Sequence, residues 1–351
     1  MNLPIEFISN IEGVFGSTGK QFIANLPTLI EEASARWGLK DVQPAPSLSY
    51  NFVAFANRGD DQIVLKMGVP NREMISEMAA LRLFNGEGAC RLIDYDEEKY
   101  WMLLERLKPG VMLAVLEDDE EATHIAVELM QKIWRPIEPV TLPKNHRDDV
   151  SEATLAPGAH LSWRTVPGSA GESLNETDKR LFGRDERSLR VTYDSFIRLS
   201  DWFDGLKKLR LMFNGGTGPL DAKLVERVEH SVKDFFAENH KLILMHGDFH
   251  HFNILSSERG WLVIDPKGVI GPAGYEVGPF LINPWGDLLD RKDYRLITER
   301  RIDILHEHLG FERERIREWG LAHAILSGWW SIEDHGDWHY AAAFAEMIAS
   351  L

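Results

Sequence analysis

The chain has 351 residues, 44% hydrophobic and 27% charged, the balance of an ordinary globular protein long enough for one large or two medium cores. Its 39 basic against 55 acidic residues give a formal charge of −16. That argues against a nucleic-acid partner, since no basic surplus exists to displace counterions from phosphates, and is compatible with a cationic small molecule or with plain solubility. No apolar run approaches the ~20 residues a bilayer requires, MNLPIEFISNIEG shows neither the basic nor the apolar region of a secretory signal, and the single cysteine, Cys90, rules out an internal disulfide and fits a cytoplasmic protein.

In chain order, residues 20–37 place Phe22, Ile23, Leu26, Leu29, Ile30 and Ala33 near helical spacing, broken by Pro27. PAPSL at 44–48 reads as a breaker. SYNFVAFA, NRGDD and QIVLKMG read as strand, turn and strand. REMISEMAALRLF (72–84) reads as an amphipathic helix closed by NGEG, and ACRLIDYDEEKYWMLLERL as strand, turn and strand. The block 45–107 is therefore an α+β lobe with a largely antiparallel sheet.

After LKPG (107–110) the texture becomes helical: 119–135, 195–213, the clear amphipathic stretch 224–239, and everything from about Tyr294 to Leu351. The expected division is an N-terminal lobe, 1–107, and a larger catalytic and substrate-binding lobe, 108–351. Residues 144–191, rich in Gly, Ser and charge, read as a long loop or inserted flap.

Three motifs compete for the chemistry. GSTGKQ at 16–21 fails as a phosphate-binding P-loop, because five residues separate Gly13 from Gly19 and Gln21 follows Lys20 where Ser or Thr is needed. His246, His250 and His251 are candidate zinc ligands, although Gly247 beside Asp248 suits a loop more than a helix, and hydrogen bonds are the alternative use of His246.

The third motif is His246-Gly247-Asp248, four residues, then Asn253, followed by the apolar strand Trp261–Ile264 and Asp265. Transfer of a γ-phosphoryl group to a hydroxyl needs a carboxylate to orient the hydroxyl and take its proton, the role open to Asp248. The anionic triphosphate of ATP needs Mg²⁺, for which Asn253 and Asp265 are hard oxygen ligands. Such a site also needs a lysine on the third strand of the small lobe, and Ile63-Val64-Leu65-Lys66 supplies one. The acid that would hold it is Glu77 on the next helix, with Glu73 as alternative. MLLERL (102–107) falls at the lobe connector, where Glu105 to Leu107 would present backbone groups to an adenine edge between Val53, Val64 and Leu104; an ordinary strand end is the competing reading.

With these pieces in place, the sequence resembles the aminoglycoside/hydroxyurea antibiotic resistance kinase family, the streptomycin 6-kinase type of aminoglycoside phosphotransferase. The matching stretches are LSYNFV (48–53), VLK (64–66), EMAALRL (77–83), LLERLKPG (103–110), SDWFDGL (200–206), GGTGPL (215–220), HGDFHHFNIL (246–255), IDPKGVIGPAGYEVGPFLINP (264–284) and LSGWWSIED (326–334). The resemblance implies a protein-kinase-like α+β fold of two lobes. It implies Asp248 as base, Asn253 and Asp265 on Mg²⁺, and Lys66 with Glu77 on the phosphates.

In Asp265-Pro266-Lys267-Gly268, Lys267 either approaches a phosphate or pairs with an acid. No glycine-rich loop covers the phosphates, so Ser47–Asn51 backbone, including Ser49 and Asn51, is the expected lid. Streptomycin or a related aminoglycoside is the implied acceptor. In WWSIEDHGDW (329–338), Glu333, Asp334 and Asp337 would meet cationic groups, and Trp329 and Trp330 would stack on them; two core tryptophans and a solvated acidic turn are the alternative.

The expected protein is an ATP- and Mg²⁺-dependent small-molecule kinase with no nucleic-acid or membrane partner. The rivals are a metabolic amino-sugar kinase or hydroxyurea phosphotransferase on the same fold, a nucleotide-binding regulator without catalysis, and a zinc-binding structural protein.

Overall fold

The computed structural model describes residues 3–137, 193–237, 241–286, 288–334 and 336–351. The segment expected as a flap, 144–191, lies outside them.

The chain opens with α1 (Ile5–Trp37), which bends at Gly16 (φ 55°, ψ −128°) and ends at Gly38 in the left-handed conformation. It starts well before the predicted residue 20 and runs straight through Pro27. The proline sits on the exposed face and costs the helix one backbone hydrogen bond. Burial of Phe22, Leu26, Ile30, Ala33 and Trp37 along the opposite stripe outweighs that loss.

That stripe packs on a five-stranded antiparallel sheet built from β1 (Leu39–Pro44), β2 (Phe52–Arg58), β3 (Asp61–Met67), β4 (Leu92–Asp96) and β5 (Trp101–Glu105). The order is β1-β2-β3-β5-β4. The edge strand β1, LKDVQP, escaped the sequence reading because it is polar and mostly exposed. Phe52, Ala54, Ile63, Leu65, Trp101 and Leu103 join α1 in one apolar core. Alternation then sends the cross-strand sets Val53–Lys66–Met102 and Phe55–Val64–Leu104 to the opposite face. Helix α2 (Arg72–Phe84) has the predicted bounds and is capped by Asn71, whose side chain accepts the Met74 N–H.

Its Met74, Met78, Leu81 and Phe84 belong to a second, larger core shared with the C-terminal helices. Those are α3 (Asp119–Ile133), the short α4 (Leu199–Phe203) and α5 (Gly205–Met212), α6 (Ala222–Ala237), α7 (Val277–Ile282), α8 (Tyr294–Leu309), α9 (Arg313–Glu333) and α10 (His339–Ala349). The stretch 195–213, expected to be helical, begins with a short strand, β8 (Ile197–Arg198), before the helices α4 and α5. The remaining strands are β6 (Pro109–Met112), β7 (Arg135–Pro136), β9 (Leu242–Met245), β10 (Ile254–Ser257), β11 (Gly260–Val263) and β12 (Val269–Pro272). With β8 they form two small sheets, β11-β10-β6 and β7-β9-β12-β8. No helix among the described residues is long and apolar enough to cross a membrane. Cys90 is free and buried, as a small apolar residue would be.

Candidate phosphoryl-transfer site

The loop 246–253 leaves β9 and enters β10 through a 3-10 turn, His251–Asn253. Strands β10 and β11 pair antiparallel with Ile254 opposite Val263. The pairing continues one residue outward, where the Ile264 N–H donates to the Asn253 carbonyl at 2.9 Å. Asn253 and Asp265 are thus brought side by side by a hairpin. The His246 carbonyl accepts the N–H groups of Lys267 (2.8 Å) and Gly268 (3.2 Å), so both loops are tied together by backbone.

His246 is buried. Its Nε2 lies 2.8 Å from the Ile264 carbonyl, and its Nδ1 accepts the Asp248 N–H at 3.2 Å. The neutral tautomer with the proton on Nε2 satisfies both. Burial pushes the imidazole down to about 4, which keeps it neutral. Gly247 has φ +86°, and a Cβ there would stand 2.2 Å from Val269 Cγ2, so only glycine fits.

Beneath the loop, Glu276 accepts the His246 N–H on Oε2 (2.8 Å) and the Gly247 N–H on Oε1 (2.9 Å). Burial pushes this carboxyl up to about 8, although the two backbone donors pull it back. The sequence reading missed Glu276. Its one signal was an acid set in the apolar run Gly274-Tyr275-Glu276-Val277-Gly278-Pro279-Phe280.

The Asp248 side chain is 39% exposed, with His250 Nε2 3.4 Å from its Oδ1. Asn253 Nδ2 donates to the Asp248 carbonyl at 3.0 Å and approaches its Oδ2 at 3.4 Å. Desolvation alone would raise this carboxyl; His250, Lys267 and His246 outweigh it and hold it well below the usual carboxylate range. It is therefore ionised, with one side open to a ligand.

Facing it, Lys66 Nζ binds both oxygens of Glu77, at 2.7 and 2.8 Å, and lies 3.2 Å from Asp265 Oδ1. Asp265 takes φ +56°, a left-handed conformation rare for a residue with a Cβ. Burial would lower the Lys66 ammonium, but Asp265 and Glu77 raise it, so it stays charged. Burial raises the Glu77 carboxyl, and Lys66 draws it back. Glu73 takes no part in this pair: its Oε2 holds Lys267 Nζ at 2.8 Å.

Of the residues expected to cover the phosphates, Ser49 is exposed and Asn51 half-buried in the turn before β2. Asn51 Oδ1 lies over Gly68, 2.5 Å from where a Cβ would stand. Glu105 is more committed than expected. Its N–H donates to the Arg91 carbonyl at 2.9 Å, and its carboxylate takes Arg259 Nη2 (2.5 Å) and Nε (3.1 Å). The N–H is therefore unavailable to a base. Leu107 is buried. Arg106, between them, lays its guanidinium over the Phe55 ring at 3.1 Å, on the same sheet face as Lys66.

The acceptor candidates scatter. Trp329 is 1% exposed, its indole packed against Gly205, so it is a core side chain with no face to offer. Trp330 is half-buried and meets Trp202 edge-on at 5.3 Å, and Trp202 in turn reaches the Gly247 backbone. Glu333 pairs with Lys208 at 3.2 Å. Asp334 caps the end of α9, and Asp337 pairs with His339. Trp202 had no signal beyond an ordinary helical aromatic.

The three histidines point apart. His246 is spent on backbone, while His251 stacks on Phe280 at 4.4 Å with Arg301 on its Nε2. No group of three or more His, Cys, Asp or Glu able to hold a metal occurs among the described residues. The donor set fits a different ion. Asn253 uses its amide nitrogen on Asp248 and keeps its oxygen; Asp265 is 45% exposed. Two hard oxygens suit Mg²⁺ that brings waters and phosphates to complete its shell.

A family model described as aminoglycoside/hydroxyurea antibiotic resistance kinase matches residues 36–154 and 160–335. The chain is similar to the streptomycin 6-kinase of Streptomyces glaucescens, 28% identical over 338 residues, 95% of this chain and 92% of that one. It is similar to the hydroxyurea phosphotransferase of Kitasatospora aureofaciens, 28% identical over 340 residues, 95% and 81% of the two chains. Among solved structures it resembles a thermostable mutant of aminoglycoside phosphotransferase APH(4)-Ia in ternary complex with ADP and hygromycin B: TM-score 0.52, 14% identity, 91% and 96% covered. Fold and relatives together define a phosphotransferase enzyme of the protein-kinase-like class. Within that class the chain belongs to the aminoglycoside/hydroxyurea antibiotic resistance kinase family.

Proposed function

We propose that this enzyme transfers the γ-phosphoryl group of ATP to a hydroxyl of a small cationic molecule, an aminoglycoside such as streptomycin, and so inactivates an antibiotic. The observation that carries the reading is the convergence of two constellations, Lys66–Glu77–Asp265 and Asp248–Asn253, tied by the hydrogen bond between the Ile264 N–H and the Asn253 carbonyl.

In this reading, Asp248 orients the acceptor hydroxyl and takes its proton as the new oxygen–phosphorus bond forms; the bond from the γ-phosphorus to its bridging oxygen breaks, and ADP leaves. Lys66, fixed by Glu77, binds the α- and β-phosphates. Asn253 and Asp265 would hold Mg²⁺, which would supply positive charge to the phosphoryl oxygens. The Glu105 carbonyl and the Leu107 backbone face the base, and Ser49 and Asn51 cover the phosphates. Residues 1–107 act as the nucleotide lobe and 108–351 as the acceptor lobe. The site of action is the cytoplasm, where ATP is supplied.

A net charge of −16 is compatible with a cationic acceptor. Of the five acceptor-side candidates, Trp330 meets Trp202, whose ring lies against Gly247, the neighbour of Asp248. Hydroxyurea, named for one relative, presents a hydroxyl to the same carboxylate and is the second acceptor to try.

The test is purified protein with ATP, Mg²⁺ and streptomycin, read by mass spectrometry beside Asp248→Asn. A gain of one phosphate that the variant loses by about 100-fold or more supports the reading. No gain with streptomycin while hydroxyurea or an amino sugar is phosphorylated keeps the kinase and sinks the aminoglycoside.

A further inference from the structure

The geometry points to Lys267 as a second phosphate-binding cation, one that leaves Glu73 to contact the γ-phosphoryl group. This rests on the phosphotransfer reading above and adds a residue to it.

Helix α2 presents two carboxylates one turn apart, and each holds a different lysine. Glu77 holds Lys66, and the pair is sealed: the side chains are 7% and 3% exposed. Glu73 holds Lys267 at 2.8 Å, and that pair stands in solvent, with side chains 55% and 37% exposed. A buried ion pair is costly to break, whereas an exposed one is worth little and exchanges readily. One lysine is fixed and the other is free to move.

The backbone under Lys267 is held firmly. Its N–H donates to the His246 carbonyl, and the next carbonyl, of Gly268, accepts Ser76 Oγ at 2.7 Å. Gly268 sits so close to α2 that a Cβ would meet the Ser76 carbonyl oxygen at 2.5 Å. Lys267 therefore springs from a rigid point two residues after Asp265, on a strip of chain hydrogen-bonded to the Asp248 loop. Its four-carbon stem supplies the reach.

Charge counting gives the reason. The Lys66 ammonium already faces the Glu77 and Asp265 carboxylates, so that cluster is net negative before Mg²⁺ binds and carries a single net positive charge with it, against several negative charges on a triphosphate. The lid Ser47-Leu48-Ser49-Tyr50-Asn51 has no glycine to fold backbone N–H groups into an anion nest. A bound triphosphate would leave its terminal group short of positive charge, and Lys267 is the nearby ammonium without a buried partner.

The experiment measures Mg·ATP and Mg·ADP binding by calorimetry for wild type, Lys267→Met, Lys267→Gln, Lys267→Arg and Glu73→Gln, each checked by thermal melting. Losing a charge-assisted contact to the γ-phosphate should weaken ATP by about tenfold or more while ADP changes less than about twofold. Lys267→Arg should recover part of the loss, and Glu73→Gln should keep the wild-type preference for ATP.

Equal weakening of ATP and ADP, or no weakening, overturns the proposal. So does Glu73→Gln reproducing the lysine variants, which would make Lys267 a strut between α2 and the loop. If wild type binds ATP and the selective loss appears but no acceptor is phosphorylated, Lys267 stands and the transfer reading falls. A wild type that binds neither nucleotide overturns both.

Discussion

Glu276 carries the Gly247 N–H on one carboxylate oxygen and the neighbouring His246 N–H on the other. A single buried side chain thereby sets the height of the loop that holds Asp248. Glu276→Ala would strand two buried donors and cost about 2–5 kcal/mol of stability. The loop would shift with them, and phosphoryl transfer should fall by roughly 100-fold. Thermal melting and steady-state kinetics on one preparation check both numbers.

Lys66→Met should abolish ATP-dependent transfer and lower stability by about 3–5 kcal/mol, because Glu77 is left buried without its cation. Replacing both members, Lys66→Met with Glu77→Leu, should regain most of the stability and none of the activity. A double variant no more stable than the single one would mean that the pair is not what Glu77 costs the fold. Denaturant titration of the three variants measures this.

The buried His323 bonds Tyr275 through Nδ1 and Ser327 through Nε2, and burial pushes it from 6.5 down to about 3. Its folded pKa is lowered, so the unfolded chain takes the proton first. The stability that depends on neutral His323 is whole above pH 6.5 and drains away as pH falls toward 3. Against His323→Gln, wild type should lose about 2 kcal/mol between about pH 7.5 and about pH 5. A difference that does not change over that range would refute it.

Trp329 and Trp330 are neighbours in sequence with separate fates. Trp329→Ala should cost about 3–5 kcal/mol as a core deletion. Trp330→Ala should cost less stability and raise KM for the acceptor, with KM for ATP little changed. Melting curves and substrate titrations separate the two.

How much of this was legible in the sequence varies with what each residue depends on. Helix α2 came out with its bounds because period, cap and closing turn all agree over 72–85. The 246–253 loop and Asp265 were legible because the chemistry demands their spacing, and the hairpin that joins them is local. Strand β1 was not, since an exposed edge strand carries little apolar alternation. Pro27 misled because helix breaking was weighed without the apolar stripe that α1 buries on the sheet. Glu276 and Trp202 act through contacts far away in sequence. Lys267 was left open between phosphate and acid; the structure gives its acid, Glu73.

The two apolar cores divide the molecule in an unexpected place. Helix α2 packs with the large C-terminal core, whereas much of the sheet that carries Lys66 packs with α1. The sheet itself is the wall between them: Met102 and Leu104 face the same core as α2, on the side where Lys66 meets Glu77. The pair therefore pins α2 to the sheet from within the larger core. Because that core also reaches the C-terminal helices, the anchor of Lys66 belongs to the packing that seats the sheet on them, and loosening that packing loosens the lysine.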